Sequence, residues 1–354
     1  MSGMAAGVTI YDVAARAGVS IKSVSRVLNG EANVSPALRE SVNTAVAELG
    51  YRRNLSARSL AGSSSSIIIA MVDEALTIEH WRSGRGNDYL SRLELGLLME
   101  CRQADYYLMV ELVDYGAATL RRDLSAMLAA IRPEGVVLTP PNSDHPVVLD
   151  VLDEAGVAYA RIGPERDLDR GVRIRMDERQ AAEDITRHLI ELGHRRLAHI
   201  AGPSAYSASR LRREGFEAAL RKHGLAVDES LILEGDFTFQ SGLQGVERLL
   251  ALAERPTAVF AANDDMALGA LQGAAAAGLS VPGALSVAGF DDTPSALFST
   301  PALTTIRQPV AEMAAAAARR LVPTLRGEMP RSSDLNEETV PYQLMVRGST
   351  GPLA

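Results

Sequence analysis

The chain has 354 residues, 47% of them hydrophobic, with a formal net charge of −8. That length exceeds one ordinary folding unit, so roughly two or three are expected. The single cysteine, Cys101, excludes an internal disulfide and reads as a small buried hydrophobe. No stretch approaches the roughly 20 apolar residues of a membrane span, and MSGMAAGVTI lacks a basic region, a long apolar run and a cleavage site. A cytoplasmic protein with no membrane partner is therefore expected.

The averaged charge hides an asymmetry. Residues 1–62 carry Arg16, Lys22, Arg26, Arg39, Arg52, Arg53 and Arg58 against Asp12, Glu31, Glu40 and Glu48, a balance of +3 that leaves −11 for the remainder. A small basic module on an acidic body suits local attraction to phosphates.

In chain order, Ile10, Val13, Ala14 and Ala17 recur at helical spacing, and Gly18 ends this first predicted helix. Ser20 is an N-cap for a second helix with a buried stripe of Val24, Val27 and Leu28, broken at Asn29-Gly30. A third starts at Ser35-Pro36 and runs through Val42, Ala45, Val46 and Leu49 to Gly50. Residues 54–62, NLSARSLAG, form a short potential helix too small to be stable unless held, and a serine-rich joint follows. Beyond it, apolar strands Ile67–Val72, Gly135–Leu138, Val157–Ile162, Arg196–Ile200, Ala258–Ala261 and Leu285–Gly289 alternate with amphipathic stretches. This pattern predicts two α/β lobes with parallel, doubly wound sheets and a cleft between them.

A helix, a glycine turn and a second helix at this spacing place the second helix in a DNA major groove. Its exposed residues are Ile21, Lys22, Ser23, Ser25 and Arg26, with Lys22 and Arg26 four apart on one face. Either base can donate to guanine, and Ile21 offers an apolar contact; taken alone, the same pattern also fits a solvated face.

The strings IYDVAARAGVS, VSRVLNG and ARSLAG resemble the DNA-binding headpiece and hinge of the lac repressor (LacI/GalR) family of bacterial regulators. LGHRRLAHIAGP (192–203), RREGF (212–216), AANDDMALGA (261–270), VAGFDDTPSA (287–296) and PALTTIRQP (301–309) extend the resemblance in the family's order. It implies a helix-turn-helix DNA-binding domain over 1–53 and a hinge helix and linker over 54–66. A periplasmic-binding-protein-like sensor over 67–354 follows, with one subdomain at about 67–164 plus 307–323 and the other at about 165–306 plus 324–354. It also implies that Ile21, Lys22 and Arg26 read bases, and that paired hinge helices enter the minor groove with Leu60 as a wedge beside Ala57. The full candidate DNA-binding set is Thr9, Ser20, Ile21, Lys22, Ser23, Ser25, Arg26, Asn29, Asn54, Ala57 and Leu60.

In the sensor, Asn263 follows the strand Ala258–Ala261 and Asp291 follows Leu285–Gly289, where a doubly wound fold holds ligand groups. An amide, a carboxylate and the donor fork of Arg212 make a polar grip on a sugar, with Phe237 and Trp81, Tyr89 or Tyr206 as candidate covers for a ring face. Helix capping or turn-making remains an alternative for Asn263 and Asp291. The resemblance places Arg212, Phe237, Asn263 and Asp291 on effector-contact positions, and Asp73, Tyr89, Thr139, Arg161 and Tyr206 complete the candidate set. Two departures concern the ligand: Gly163 stands where many members are acidic, with Arg161 brought in before it, and the loop Asp73–Asn87 with His80, Trp81, Arg82 and Arg85 is unusually basic. Both admit an acidic or phosphorylated sugar, although a solvated basic loop is the commoner explanation.

The histidines form no metal motif, no nucleophile elbow or phosphate loop occurs, and neighbours such as Asp291 and Asp292 in a strand point apart. No catalytic residue, metal or cofactor is expected. The implied function is a non-enzymatic, nucleoid-associated repressor of carbohydrate-utilisation genes: a homodimer on a pseudo-palindromic double-stranded operator, released by a small sugar-like effector. An effector-enhanced repressor is the alternative. A solute-binding protein is opposed by the basic headpiece, and a sugar-modifying enzyme by the missing catalytic constellation; no leucine-heptad tail supports a tetramer.

Overall fold

The computed structural model describes residues 8–28, 33–51, 65–84, 88–328 and 337–353. The chain divides into two compact units, Met1–Ser65 and Ser66–Ala354.

The first unit packs α1 (Ile10–Ala17), α2 (Ile21–Leu28) and α3 (Pro36–Leu49) around Val13, Ala14, Val24, Val27, Val42 and Ala45. Each helix starts where the sequence supplies a cap. The Asp12 carboxylate accepts from the backbone N–H and the hydroxyl of Thr9, both at 2.7 Å; Ser20 Oγ accepts from Ser23 N at 3.1 Å and Ser35 Oγ from Leu38 N at 3.3 Å. Gly18, at φ 67°, stops α1 in the left-handed conformation that glycine adopts without steric cost.

The second unit begins with β1 (Ile67–Asp73), α4 (Glu74–Ser83), α5 (Asp88–Gln103), β2 (Tyr107–Val113), α6 (Leu120–Ile131), β3 (Gly135–Leu138), α7 (Pro146–Glu154), β4 (Ala158–Ile162) and β5 (Val172–Arg175). It continues with α8 (Glu178–Glu191), β6 (Leu197–Ala201), α9 (Ser207–Lys222), β7 (Ile232–Glu234), α10 (Phe239–Leu250), β8 (Ala258–Ala261), α11 (Asp264–Ala276), β9 (Ser286–Asp291) and α12 (Pro294–Phe298). Then come β10 (Thr304–Arg307), α13 (Val310–Leu325), β11 (Glu337–Thr339) and β12 (Gln343–Met345). Two six-stranded sheets result, ordered β11-β5-β4-β3-β1-β2 and β12-β10-β9-β8-β6-β7. The two orders share one winding pattern. Pairing is parallel throughout except between β10 and β12, where Thr305 faces Met345 in antiparallel register. Near-continuous burial of β1, β3, β6 and β8 follows from helices covering both faces.

The lobe boundary expected at residues 164–165 needs correction. β5 pairs with β4 (Ala160 opposite Val172) and β11 pairs with β5 (Glu337 opposite Arg173), so residues 172–175 and 337–339 belong to the first sheet. β5 is a four-residue strand that buries Val172 and Ile174 and leaves Arg173 and Arg175 partly exposed, an alternation too short to stand out in sequence. The segment Asp73–Asn87, expected as a loop, is mostly helix α4. Asp73 caps it through Leu76 N at 3.2 Å, and Gly84 ends it at φ 67°.

Helix α13 packs on α5 and β4 of the first lobe. The approach depends on Gly96 in α5: a Cβ there would lie 2.1 Å from the Ala311 carbonyl oxygen.

Candidate ligand cleft and recognition helix

On α2, Ile21 and Lys22 are exposed, and among the described residues no ion pair engages Lys22. Arg26 is half-buried and donates from Nη2 to the Asn33 carbonyl at 2.7 Å, which ties it to the start of α3. Ser20 and Ser23 cap the helix start through their side chains, Thr9 does the same for α1, and Ser25 is half-buried. Asn29, Asn54, Ala57 and Leu60 lie outside the described residues. Tyr11, 68% exposed on α1, is an aromatic that sequence reasoning passes over, since it sits between apolar residues of a helical stripe.

In the second unit, strand ends converge on one cleft enclosing about 1230 Å³ of empty space, open solvent at its mouth included. Asp73 closes β1 and Thr139 follows β3; Asn263 follows β8, and Asp291 closes β9. The strand order reverses between β1 and β3 in the first sheet and between β6 and β8 in the second, and such switch points are where these folds bind ligands. Tyr89 on α5, Tyr206 at the start of α9, Arg212 on α9 and Phe237 before α10 line the same cavity. Tyr206 and Phe237 meet edge to face with centroids 5.3 Å apart.

Asn263 serves two purposes. Its Oδ1 caps α11 through Met266 N at 3.0 Å and its Nδ2 donates to the Phe237 carbonyl at 2.9 Å, so the capping alternative describes its protein contacts while its remaining polar capacity faces the cleft. Arg212 is held on three sides: Nε donates to Glu178 at 2.8 Å, Nη1 to the Ala262 carbonyl at 2.5 Å, and its plane lies 3.7 Å from the Phe290 ring centroid. Burial opposes its charge, but Glu178 beside it holds the pKa above the ordinary value.

Asp291 differs from both. Its backbone is left-handed at φ 127°, followed by Asp292 at 56°, conformations that cost roughly 1–3 kcal/mol each and persist only where surroundings impose them. Among the described residues no side chain or backbone group donates a hydrogen bond to its carboxylate, which lines the cleft. Burial pushes its pKa well above 3.8, with Arg212 pulling the other way and the Asp264 and Asp265 charges adding to the rise. Its neighbour Asp292 faces elsewhere, paired with Arg307 at 2.6 Å and with Arg347.

The lobes also touch across the cleft. Tyr206 donates its hydroxyl to Asp73, Ser207 Oγ to Asp144 at 2.5 Å, and Arg92 on α5 to the carbonyls of Asp291 (2.8 Å) and Asp292. Burial, then Asp73, holds the Tyr206 phenol protonated far above neutral pH. Among the described residues no cluster of three or more His, Cys, Asp or Glu side chains is arranged to hold a metal, and no helix is long and apolar enough to cross a membrane.

Residues 9–54 match the model of bacterial regulatory proteins of the lacI family, and residues 186–350 match that of the periplasmic binding protein-like domain. The transcriptional regulator CelR of Thermobifida fusca is 36% identical over 349 residues, covering 96% of this chain and 98% of CelR. The chain belongs to the lacI family. Among solved structures, the CelR–cellobiose complex aligns with a TM-score of 0.73 at 33% identity over 97% of this chain and 99% of that one. The lac repressor dimer bound to operator and the anti-inducer ONPF aligns at 0.76, 29% identical over 99% of this chain and 100% of that one.

Against this lacI-family background one expected site residue is displaced: Arg161 does not line the cleft. Its guanidinium is fully buried and donates to the carbonyls of Ser143 (2.7 Å), Arg166 (2.5 Å), Asp167 (2.7 Å) and Arg170 (3.1 Å), and pairs with Asp144 at 3.0 Å. It organises the loop after β4. Trp81, 54% exposed, does not line the cleft either. Sequence reasoning missed Glu178 and Gln308, which sit where the chain crosses between lobes, and the apolar walls Leu76, Leu211 and Met313. Only the helical phase of Leu211 beside Arg212 signalled any of these.

Proposed function

We propose that this protein represses transcription as a homodimer bound to a pseudo-palindromic operator, and that a small saccharide entering the cleft releases it. The observation that carries the sensor half is Asp291: a strained, unpartnered carboxylate aimed into a cleft walled by Tyr89, Tyr206 and Phe237, a grip suited to sugar hydroxyls. The CelR–cellobiose complex supports that ligand class. The DNA half rests on α2, with Ile21, Lys22, Ser23, Ser25 and Arg26 as groove-facing residues and Thr9, Ser20, Asn29 and Asn54 on the backbone. Ala57 and Leu60 enter the minor groove from the hinge.

A second copy of the chain is the partner for the apolar surfaces left open on the sensor. Leu95, Leu98 and Met99 form an exposed stripe on α5, Tyr107 stands on edge strand β2, and Leu297 and Phe298 end α12. The lac repressor dimer on its operator supports this assembly. The protein acts without catalysis, in the cytoplasm on the nucleoid. A ligand shifts DNA affinity only as far as it prefers one of the two sensor states, so release requires tighter binding to the state that disfavours DNA.

Fluorescence anisotropy of the full-length protein on labelled DNA from its own upstream region, at fixed salt and with a panel of mono- and disaccharides, tests the proposal. Tight, sequence-selective binding that one saccharide weakens is expected. Binding indifferent to DNA sequence, or strengthened by the saccharide, would overturn it.

A further inference from the structure

The cleft is lined by six carboxylates, among them Asp73, Glu165, Glu178 and Asp291, and by two guanidiniums, Arg175 and Arg212. Both guanidiniums already have a carboxylate partner: Arg175 pairs with Glu337, and Arg212 with Glu178. The second pair is a built arrangement. Glu178 is the first residue of α8, its side chain is 10% exposed, its Oε2 accepts from Arg212 Nε, and its Oε1 accepts from Gln308 Nε2 at 3.4 Å. Gln308 and Glu178 lie on two of the segments that cross between the lobes, so the pair stands at the floor of the cleft.

This arrangement decides what charge a ligand can carry. An entering phosphate or carboxylate finds no guanidinium whose charge is not already balanced: Arg212 gives Nε to Glu178 and Nη1 to the Ala262 carbonyl, and its remaining Nη2 stands beside a buried carboxylate that repels an anion. Around it stand further carboxylates whose repulsion is little screened at this depth. An uncharged polyhydroxyl compound meets neither cost, and donates to the carboxylates instead.

We infer that Glu178 is a specificity-determining residue: by neutralising the Arg212 charge it closes the cleft to sugar phosphates and uronates and reserves it for uncharged saccharides. The inference rests on the reading of this cleft as the effector site, and it removes the acidic-sugar option that Arg161 and the basic segment after Asp73 suggest from sequence. Arg161 is spent on loop carbonyls, and the residues of α4 that line the cleft are Leu76, Thr77 and His80.

The test is calorimetric titration of inorganic phosphate into full-length wild type and Glu178→Gln at constant ionic strength. Gln keeps the size and one acceptor for Arg212 Nε while removing the charge. Glu178→Gln is expected to bind phosphate about tenfold or more tighter than wild type, and Arg212→Met added to that variant should abolish the gain. Equal phosphate binding by the two proteins, including none by either, overturns the inference. A second arm needs no variant: wild type is titrated with neutral mono- and disaccharides and with their uronates and phosphate esters. An anion that binds as tightly as its neutral parent overturns the inference while leaving the effector reading intact. If no saccharide of any charge binds, the effector reading fails, and the phosphate comparison still judges Glu178.

Discussion

Arg161 and Arg212 look alike in sequence, each an arginine beside an apolar run, yet one braces a loop and the other lines the cleft. What separates them is whether carbonyl oxygens surround the guanidinium, and those come from residues 143 to 170 folding back around Arg161. Arg161→Met should therefore lower stability by about 3 kcal/mol or more, since several carbonyls and Asp144 lose their donor, while ligand selectivity is kept. Urea denaturation and saccharide titration read the two effects separately. At Asp291 and Asn263 the sequence was informative because strand ends in this architecture converge by rule. Glu178 was illegible, because its role arises only when the start of α8 and the middle of α9 are brought within 2.8 Å. On the DNA face, exposed Lys22 is the clearest base-reading candidate, whereas Arg26 also supports the turn before α3. Lys22→Ala should cost about 1–3 kcal/mol on the operator and far less on unrelated DNA, measured by anisotropy on both; an equal loss on both would reassign Lys22 to a phosphate.

Among elements, those with strong local signals were legible: α1, α2 and α3 from caps and glycine stops, and β1, β3, β4, β6, β8 and β9 from compact apolar runs. The short or edge strands β5, β10, β11 and β12 were not, because three or four residues with mixed exposure carry almost no periodicity. Helix α4 has cap residues at both ends but buries no residue fully, so its pattern resembles a polar loop. Packing between elements also gives a pH prediction. His199 on β6 is stacked between Phe216 of α9 and Phe260 of β8, its Nδ1 bonded to the Phe260 carbonyl at 2.9 Å and its Nε2 buried without a partner among the described residues. Burial lowers its pKa from 6.5 to about 4, so the fold holds it neutral. The unfolded chain then binds the proton first as pH falls; stability is complete above about 6.5 and drains away toward about 4, by roughly 3 kcal/mol from this group. Asp264, raised from 3.8 to about 7 by burial, acts in the opposite sense across that whole range, so the net slope alone cannot isolate His199. The difference between wild type and His199→Gln can: urea melts at pH 7.5 and 5 should show the variant losing less stability on acidification. Equal losses would contradict the neutral, buried histidine.

At the scale of the molecule, the sensor is two lobes of one winding pattern joined by three chain crossings and bridged over the cleft by Tyr206 to Asp73, Ser207 to Asp144, and Arg92 to the Asp291–Asp292 turn. A ligand that binds Asp291 thus engages a residue whose backbone is already gripped from the opposite lobe. Any preference for one lobe arrangement becomes a coupling free energy available to DNA binding, of the order of 1–3 kcal/mol in such systems. The most direct measurement is operator anisotropy for wild type and Asp291→Ala, each titrated with the saccharide that releases wild type. Asp291→Ala is expected to bind operator within about twofold of wild type and to need about tenfold to hundredfold more saccharide for release, the loss of a hydrogen-bonding carboxyl group. Release of Asp291→Ala at the wild-type saccharide concentration, or loss of its operator binding without saccharide, would contradict control of DNA binding through this cleft.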